Sequence, residues 1–192
     1  MRRLRRLGIL VLSALCLSGC TLVSTSSSPS LINPDNVPLG LLDLTIPFTD
    51  HAEVRWVTRD IYLLDPGKRV VAISRSMTAP ASLFAVLYYE TQGPTPVELA
   101  NGVTTQVSSS MVINQANIQG GVALIYVNKA LSQNSLAQQR IAVGQLVFTA
   151  AAMGATKGIQ LWIDQTPYSL KLADGVSVRL VTPAEMAYLK KG

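Results

Sequence analysis

The placement of cysteine limits how this chain can fold. Its two cysteines, Cys16 and Cys20, both lie near the N-terminus, and the 172 residues that follow Cys20 contain none. Those residues can form neither a disulfide framework nor a Cys-based zinc site. A length of roughly 150 residues is usual for one domain with one core. A folded domain must therefore be held by apolar packing, and 48% of the chain is hydrophobic.

Positive charge is concentrated in the first six residues. The chain has 16 Lys and Arg against 11 Asp and Glu, a formal charge of +5. Removing Arg2, Arg3, Arg5 and Arg6 leaves 12 against 11, or +1. A chain that is 48% hydrophobic and 14% charged is not a disordered tail. Because dense positive charge is missing, we expect no nucleic-acid partner.

The N-terminal residues have the pattern of an export signal. After the arginines comes an apolar run from Leu7 to Leu17, interrupted by Gly8 and Ser13. Its length is typical of a signal-peptide core. A membrane-spanning helix needs about 20 apolar residues, so this run is too short to span a bilayer. We predict a signal peptide over residues 1–19.

The apolar run ends in Leu17-Ser18-Gly19-Cys20. This tetrad resembles the lipobox of bacterial lipoproteins, in which an aliphatic residue and two small residues precede the lipidated cysteine. The resemblance implies cleavage before Cys20 and acylation of its thiol. Several acyl chains, at about 0.8 kcal/mol per buried methylene, anchor a protein stably. We therefore expect a lipid anchor on the extracytoplasmic face of the cell membrane. The alternative is an ordinary secretory signal with a chance cysteine.

A Ser/Thr-rich segment follows the anchor. Residues 21–34 carry no charge and are rich in Ser, Thr and Pro. Such a segment buries too little apolar surface to offset its ordering entropy. We predict a flexible tether over residues 20–36, with a reach on the order of 20 to 25 Å. An alternative for its later part is an extended arm packed on the domain over residues 33–47. The domain itself is predicted over residues 37–192.

Periodicity predicts a domain with alternating strand pairs and helices. The turn Asp65-Pro66-Gly67-Lys68 joins strands over residues 60–64 and 69–74. A helix opens at Thr78-Ala79-Pro80 and ends near Gly93. Ser135 and Gln138 have the capping-box spacing of a second helix, which continues to Gly154. Further strands are predicted over residues 111–114, 122–127, 159–163, 168–172 and 176–181, and a short final helix after the capping box at residues 182–185. The fold class is α+β, a single domain with a mixed sheet and two main helices packed on it.

Several of these segments, in order, resemble the GerMN domain of sporulation and spore-germination proteins. The resemblance covers residues 57–175 and rests on these motifs: Ile61-Tyr62-Leu63-Leu64-Asp65, residues 70–75, Leu87, Gly93-Pro94-Thr95, Glu98, Gly102, Thr105, residues 121–127, and Gln145-Leu146-Val147-Phe148-Thr149. The chain departs from the family at Tyr126, where an acidic residue is frequent, at Ser108, and at Asp164-Gln165. A ligand role of the acidic residue in other family members is therefore not expected for Tyr126 in this chain. The resemblance implies an envelope assembly or binding module, not an enzyme.

The sequence offers no arrangement that favours catalysis. His51 is the only histidine, so a His-based metal site or a Ser-His-Asp triad would depend on it. We predict no catalytic residues, no metal and no cofactor. Gly93, Pro94, Thr95 and Glu98 form a possible binding loop, for which the alternative is a rigid helix stop. Trp56, Trp162 and Tyr168 either stack on sugar rings or pack in the usual way. Five basic residues lie on the first hairpin: Arg55, Arg59, Lys68, Arg69 and Arg75.

These observations predict a membrane-anchored envelope lipoprotein. Its domain would bind a protein partner or a cell-wall polymer as a scaffolding module. An alternative is a carrier that shields a small apolar or lipid ligand in a groove between helix and sheet. A third hypothesis, an envelope hydrolase, requires His51 beside a carboxylate and a hydroxyl nucleophile.

Overall fold

The computed structural model describes residues 54–190. The predicted signal peptide, lipobox, Cys20, tether and His51 lie outside the described residues. Nine strands run over Trp56–Leu64 (β1), Val70–Thr78 (β2), Ile113–Gln119 (β3), Val122–Val127 (β4), Gly158–Ile163 (β5), Thr166–Pro167 (β6), Leu170–Lys171 (β7), Ser177–Val178 (β8) and Leu180–Val181 (β9). The α-helices run over Leu83–Thr91 (α1), Pro96–Ala100 (α2) and Leu136–Ala152 (α3). Among the described residues, no helix is long and apolar enough to cross a membrane.

The first two strands form a separate two-stranded ribbon. They pair antiparallel from Trp56 opposite Thr78 to Leu64 opposite Val70. The predicted turn between them is confirmed, because the Lys68 amide donates to the Asp65 carbonyl at 2.8 Å. Both strands extend further than predicted, since ladder hydrogen bonds continue through polar pairs such as Thr58 and Ser76. The ribbon does not join the main sheet.

The main sheet is mixed, in the order β3-β4-β5-β6, with β9 also paired to β5. β3 and β4 are antiparallel across Gly120-Gly121, whose positive φ angles of 56° and 84° suit a tight hairpin. β4 and β5 are parallel, so α3 serves as their crossover connection. β3 begins two residues later than predicted and is longer, because Ala116 and Ile118 alternate with polar residues. A further two-stranded pair, β7 with β8, brackets the predicted Asp174-Gly175 turn.

The predicted α+β class, with a mixed sheet and two main helices, is confirmed. The capping box of α3 is also confirmed, because the Ser135 hydroxyl accepts from the Gln138 amide at 3.3 Å. α1 begins later than predicted, because Ser82 caps it through the Ala85 amide at 3.2 Å. At the C-terminus, Thr182 and Glu185 make the capping contacts, but only turns and a short 3₁₀ helix over Ala187–Leu189 follow. The predicted final helix was therefore wrong.

Helix α3 lies between the ribbon and the mixed sheet and supplies much of the core. Its residues Val143, Leu146 and Val147 are fully buried in one cluster with sheet residues such as Ile125 and Leu161. The same helix also anchors β1. The Tyr62 amide donates to the Thr149 hydroxyl at 3.1 Å, and the Gln145 side-chain amide donates to the Tyr62 carbonyl at 2.7 Å. These two side chains satisfy main-chain groups that β2 does not reach.

Candidate binding site on the open face of the mixed sheet

The two faces of the mixed sheet differ in what covers them. Alternate residues of β4 and β5, such as Ile125 and Leu161, are buried in the core that includes α3. The residues between them point to the other side, because successive side chains alternate across a strand. Those on β3, β4 and β5 are partly or fully accessible. We call this surface the open face and define it by Gln115, Asn117, Leu124, Tyr126, Gln160 and Trp162.

Two aromatic rings stack against each other on the open face. The register places Tyr126 opposite both Gln115 of β3 and Trp162 of β5, and Trp162 opposite Pro167 of β6. These four residues form one row across four strands. The Tyr126 and Trp162 rings are stacked, with centroids 5.5 Å apart and planes 20° apart. The row therefore has an aromatic centre, an amide at one end and a proline at the other.

Two clefts adjoin the aromatic pair, and Trp162 lines both of them. The larger cleft, of about 700 Å³, is bordered by Tyr126, Trp162 and mostly polar residues: Asn114, Gln115, Val127, Asp164 and Gln165. The smaller, of about 180 Å³, is also lined by Trp162 and is otherwise bordered by Gln160, Leu161, Pro167, Tyr168 and Arg179. Amide side chains predominate among the polar groups, with one carboxylate in the larger cleft and one guanidinium in the smaller.

A tight turn holds one wall of the larger cleft. Asp164 and Gln165 connect β5 to β6 with positive φ angles of 46° and 65°. A two-residue hairpin of this kind requires left-handed backbone, which Asp tolerates better than most residues. The Asp164 amide donates to the Val127 carbonyl at 3.1 Å, so the turn is tied to the end of β4. Tyr126 and the Asp164-Gln165 turn are both positions where the chain departs from the GerMN pattern.

The predicted binding loop has a clear structural role. Thr95 caps the short helix α2, and the Glu98 carboxylate returns to the Thr95 amide at 2.8 Å, which completes a capping box. Both Glu98 oxygens also accept from the Arg75 guanidinium at 2.6 Å. The hydrogen bond from Arg75 lowers the pKa of Glu98 to about 2, with the Thr95 amide adding to this effect and burial opposing it. Gly93 ends α1 with a φ of 71°.

Gly93, Pro94, Thr95 and Glu98 line neither of the two clefts. The short helix α2 was not predicted from the sequence. The capping-box spacing of Thr95 and Glu98 is a sequence signal that marks its start. A binding role for these four residues stays a prediction.

Glu90 is a buried carboxyl that the sequence reasoning missed. The side chain has no exposed surface, and neither oxygen makes a hydrogen bond of ordinary geometry, so the contact with the Thr149 hydroxyl is at most a weak one. Burial raises the pKa of Glu90 to about 8, and the nearby Thr149 hydroxyl opposes that rise. Its position was readable from the helical spacing, because Leu83, Val86, Leu87 and Glu90 share one face of α1.

The other predicted surface residues are dispersed. Trp56 lies on the ribbon with 62% of its surface exposed, whereas Trp162 and Tyr168 both line the smaller cleft. The Tyr168 hydroxyl donates to the Gln139 side chain, and burial raises the pKa of Tyr168. Of the basic hairpin residues, Arg75 pairs with Glu98 as described above. Within residues 54–190, no group of three metal-binding side chains comes together.

Comparison with known proteins agrees with the fold. A family model described as "Germane: Sporulation and spore germination" matches residues 60–169. The first GerMN domain of the sporulation protein GerM from Bacillus subtilis superposes with a TM-score of 0.55 at 17% identity, covering 67% of this chain and 98% of that one. The tandem GerMN domains of the same protein give a TM-score of 0.52 at 18% identity, covering 66% of this chain and 46% of that one.

At these identities the structural matches show the fold alone. No curated protein matches this chain. The family model, however, covers more than half of the 192 residues and includes β3, β4, β5 and the aromatic pair. The protein therefore belongs to the Germane family of sporulation and spore-germination domains and carries one GerMN-type domain.

Proposed function

We propose that this protein is a membrane-tethered binding module of the cell envelope that holds its partner on the open face of the mixed sheet. Family membership and the likeness to GerM, named as a sporulation protein, support a role in a sporulation- or germination-type process. The lipobox at Leu17-Ser18-Gly19-Cys20 supports attachment to the extracytoplasmic face of the membrane. No catalytic step forms part of the proposal.

The open face is the observation that carries the proposal. A sheet face that serves only for folding is covered by other elements or carries solvated, charged side chains. Here the face holds two stacked aromatic rings and a cleft of about 700 Å³ that is bordered by three amides and one carboxylate. Concave sites with apolar walls and a few convergent polar groups are typical of ligand binding.

The apolar-carrier alternative receives less support. That hypothesis requires a large apolar space between helix and sheet. In the structure, Leu146 and Val147 of α3 and Ile125 of β4 are fully buried in that layer. The larger cleft lies on the sheet surface instead, and its polar border would leave amides unpaired against a lipid. The hydrolase hypothesis depends on His51, which is outside the described residues.

The face is tested by site-specific photocrosslinking in cells. A photoreactive side chain at Gln115 lies at the larger cleft, whereas one at Val176 is also exposed but lies outside both clefts. We expect a specific crosslinked envelope component from position 115 and none from position 176. Equal crosslinking from both positions, or none from position 115, would contradict the assignment of the open face.

The anchor is tested separately by comparing the two cysteines. Cys20→Ala is expected to abolish acyl labelling and release the protein from the membrane fraction. Cys16→Ala is the matched control, because that residue leaves with the predicted signal peptide, and it should behave as wild type. Membrane retention of Cys20→Ala, measured by fractionation, would refute the anchor while leaving the open face untouched.

A further inference from the structure

We infer that the ligand of the open face is an uncharged glycan whose sugars carry acetamido groups, bound across the stacked Tyr126–Trp162 pair so that it occupies both clefts that Trp162 lines. This inference rests on the proposed function and deepens it by naming the ligand class. Because Trp162 lines both clefts, a chain that follows the row from Gln115 to Pro167 passes over the indole and enters both spaces.

The dimensions of the row suit an extended polymer. Neighbouring strands lie about 4.8 Å apart, so the three intervals from β3 to β6 give a row of about 14 Å. A single small molecule fills only one of the two clefts. A chain of linked rings occupies both of them while contacting the shared indole, and each additional ring adds binding energy without a second loss of translational freedom.

The chemistry of the border selects among polymers. Gln115, Asn114 and Gln165 border the larger cleft, and Gln160 borders the smaller. An amide side chain offers both donors and acceptors, as do the hydroxyl and acetamido groups of an amino sugar. The apolar faces of sugar rings fit the aromatic surface. A wholly apolar ligand would desolvate these amides without replacing their hydrogen bonds.

Charge argues against an ionic polymer. The larger cleft contains the Asp164 carboxylate and the smaller contains the Arg179 guanidinium. A polyanion that fills both spaces brings like charge against Asp164, and a polycation does so against Arg179. An uncharged chain avoids both repulsions, and its hydroxyl groups can accept from Arg179 and donate to Asp164.

The chain provides its own spectroscopic probe for this inference. Trp56 and Trp162 are its only tryptophans. In full-length Trp56→Phe, purified in detergent, Trp162 is the sole indole, and its fluorescence reports directly on the clefts. We expect a saturable change on titration with the N-acetylglucosamine hexamer. The Trp162→Phe variant keeps Trp56 as its only indole and should show no change.

Two further comparisons test the contributions of a cleft amide and of the acetamido groups to binding. In the Trp56→Phe background, Gln115→Ala is expected to weaken binding about fivefold to tenfold, the usual effect of losing one hydrogen bond. Gln133→Ala, an exposed amide outside both clefts, should not alter it. The glucose hexamer, which lacks acetamido groups, should bind at least tenfold more weakly. Thermal unfolding monitored by circular dichroism verifies that each variant is folded.

The outcomes separate this inference from the proposed function. No response from folded Trp56→Phe, together with a protein crosslinked at position 115, would overturn the glycan and leave the binding module standing. No response and no crosslink at that position would overturn both. Equal affinity for the two hexamers would overturn the acetamido preference, and a response that survives in Trp162→Phe would overturn the site.

Discussion

At the scale of single residues, two glutamates behave in opposite ways because their surroundings differ. Glu98 is held ionised by Arg75 and by the Thr95 amide, whereas Glu90 is fully buried and its oxygens make no hydrogen bond of ordinary geometry. Burial without compensation disfavours the charged form of a carboxyl, and hydrogen bonds from a guanidinium favour it. Folding stability should therefore depend on pH with opposite signs at the two positions.

Glu90 is expected to destabilise the fold as pH rises. Its pKa is 4.5 in the unfolded chain and about 8 in the folded one. Below pH 4.5 both states hold the proton, and between these values only the folded state holds it. Stability should then fall by up to about 1.4 kcal/mol per pH unit. Glu90→Gln should remove this dependence. Urea unfolding of the wild type and of Glu90→Gln at pH 5 and pH 8 measures the change in unfolding free energy between these pH values. An equal change in the two proteins would contradict the prediction.

Glu98 is expected to act in the opposite direction. Because its pKa is lowered to about 2, its stabilising contribution is complete above pH 4.5 and disappears as pH falls toward 2. Glu98→Gln should cost about 1 to 2 kcal/mol at pH 7, the usual value of a helix cap with a charged hydrogen bond. The deficit should vanish near pH 2. A deficit of equal size at both pH values, measured by chemical unfolding, would refute this role.

At the scale of elements, capping signals and polar contacts together explain how the segments assemble. The Ser135 and Gln138 spacing predicted the start of α3 to the residue. The same spacing at Thr95 and Glu98 marks α2, but a five-residue helix has too little periodicity to be recognised from sequence. At residues 182–185 the spacing forms its hydrogen bonds without a helix. A capping box therefore predicts local contacts more reliably than helix length.

The attachment of the ribbon to α3 depends on a buried amide. Gln145 donates to the Tyr62 carbonyl and accepts from the Gln106 amide at 2.9 Å. Gln145→Leu keeps a similar volume but leaves both main-chain groups unpaired. We expect a loss of about 2 to 6 kcal/mol, because each of the two unsatisfied groups costs roughly 1 to 3 kcal/mol. Gln138→Leu in the first turn of the same helix is the control and should cost less. Thermal unfolding measures the loss for both variants. An equal loss would argue against a specific role of Gln145 in attaching the ribbon to α3.

At the scale of the whole molecule, the folded unit extends beyond the family match. The match ends at residue 169, yet Leu170, Val181 and Met186 are buried in the main core. Arg140 of α3 also donates to the Lys171 carbonyl at 2.7 Å. The C-terminal segment, residues 170–190, therefore belongs to the same core as α3 and the mixed sheet.

A chain that stops after Ser169 is expected to lose its cooperative fold. Removing three buried apolar side chains costs about 5 to 9 kcal/mol at roughly 1.5 to 3 kcal/mol each. That loss is comparable to the whole stability of an ordinary domain, about 5 to 15 kcal/mol. The truncated chain should already be unfolded at ambient temperature, so heating followed by circular dichroism should show no cooperative transition. A melting temperature within a few degrees of the full chain would mean that the segment is dispensable.

The α+β class, the first turn, the helix after Ser135 and the order of the main strands could all be predicted from sequence. Each of these depends on residues close together in the chain, through turn chemistry, capping or alternation. The parallel pairing of β4 with β5, which places Tyr126 beside Trp162, 36 positions later in the chain, could be learned only from the folded structure. The same is true of the burial of Glu90 and of the contact between Arg75 and Glu98. These contacts depend on packing between distant segments, which local patterns do not encode.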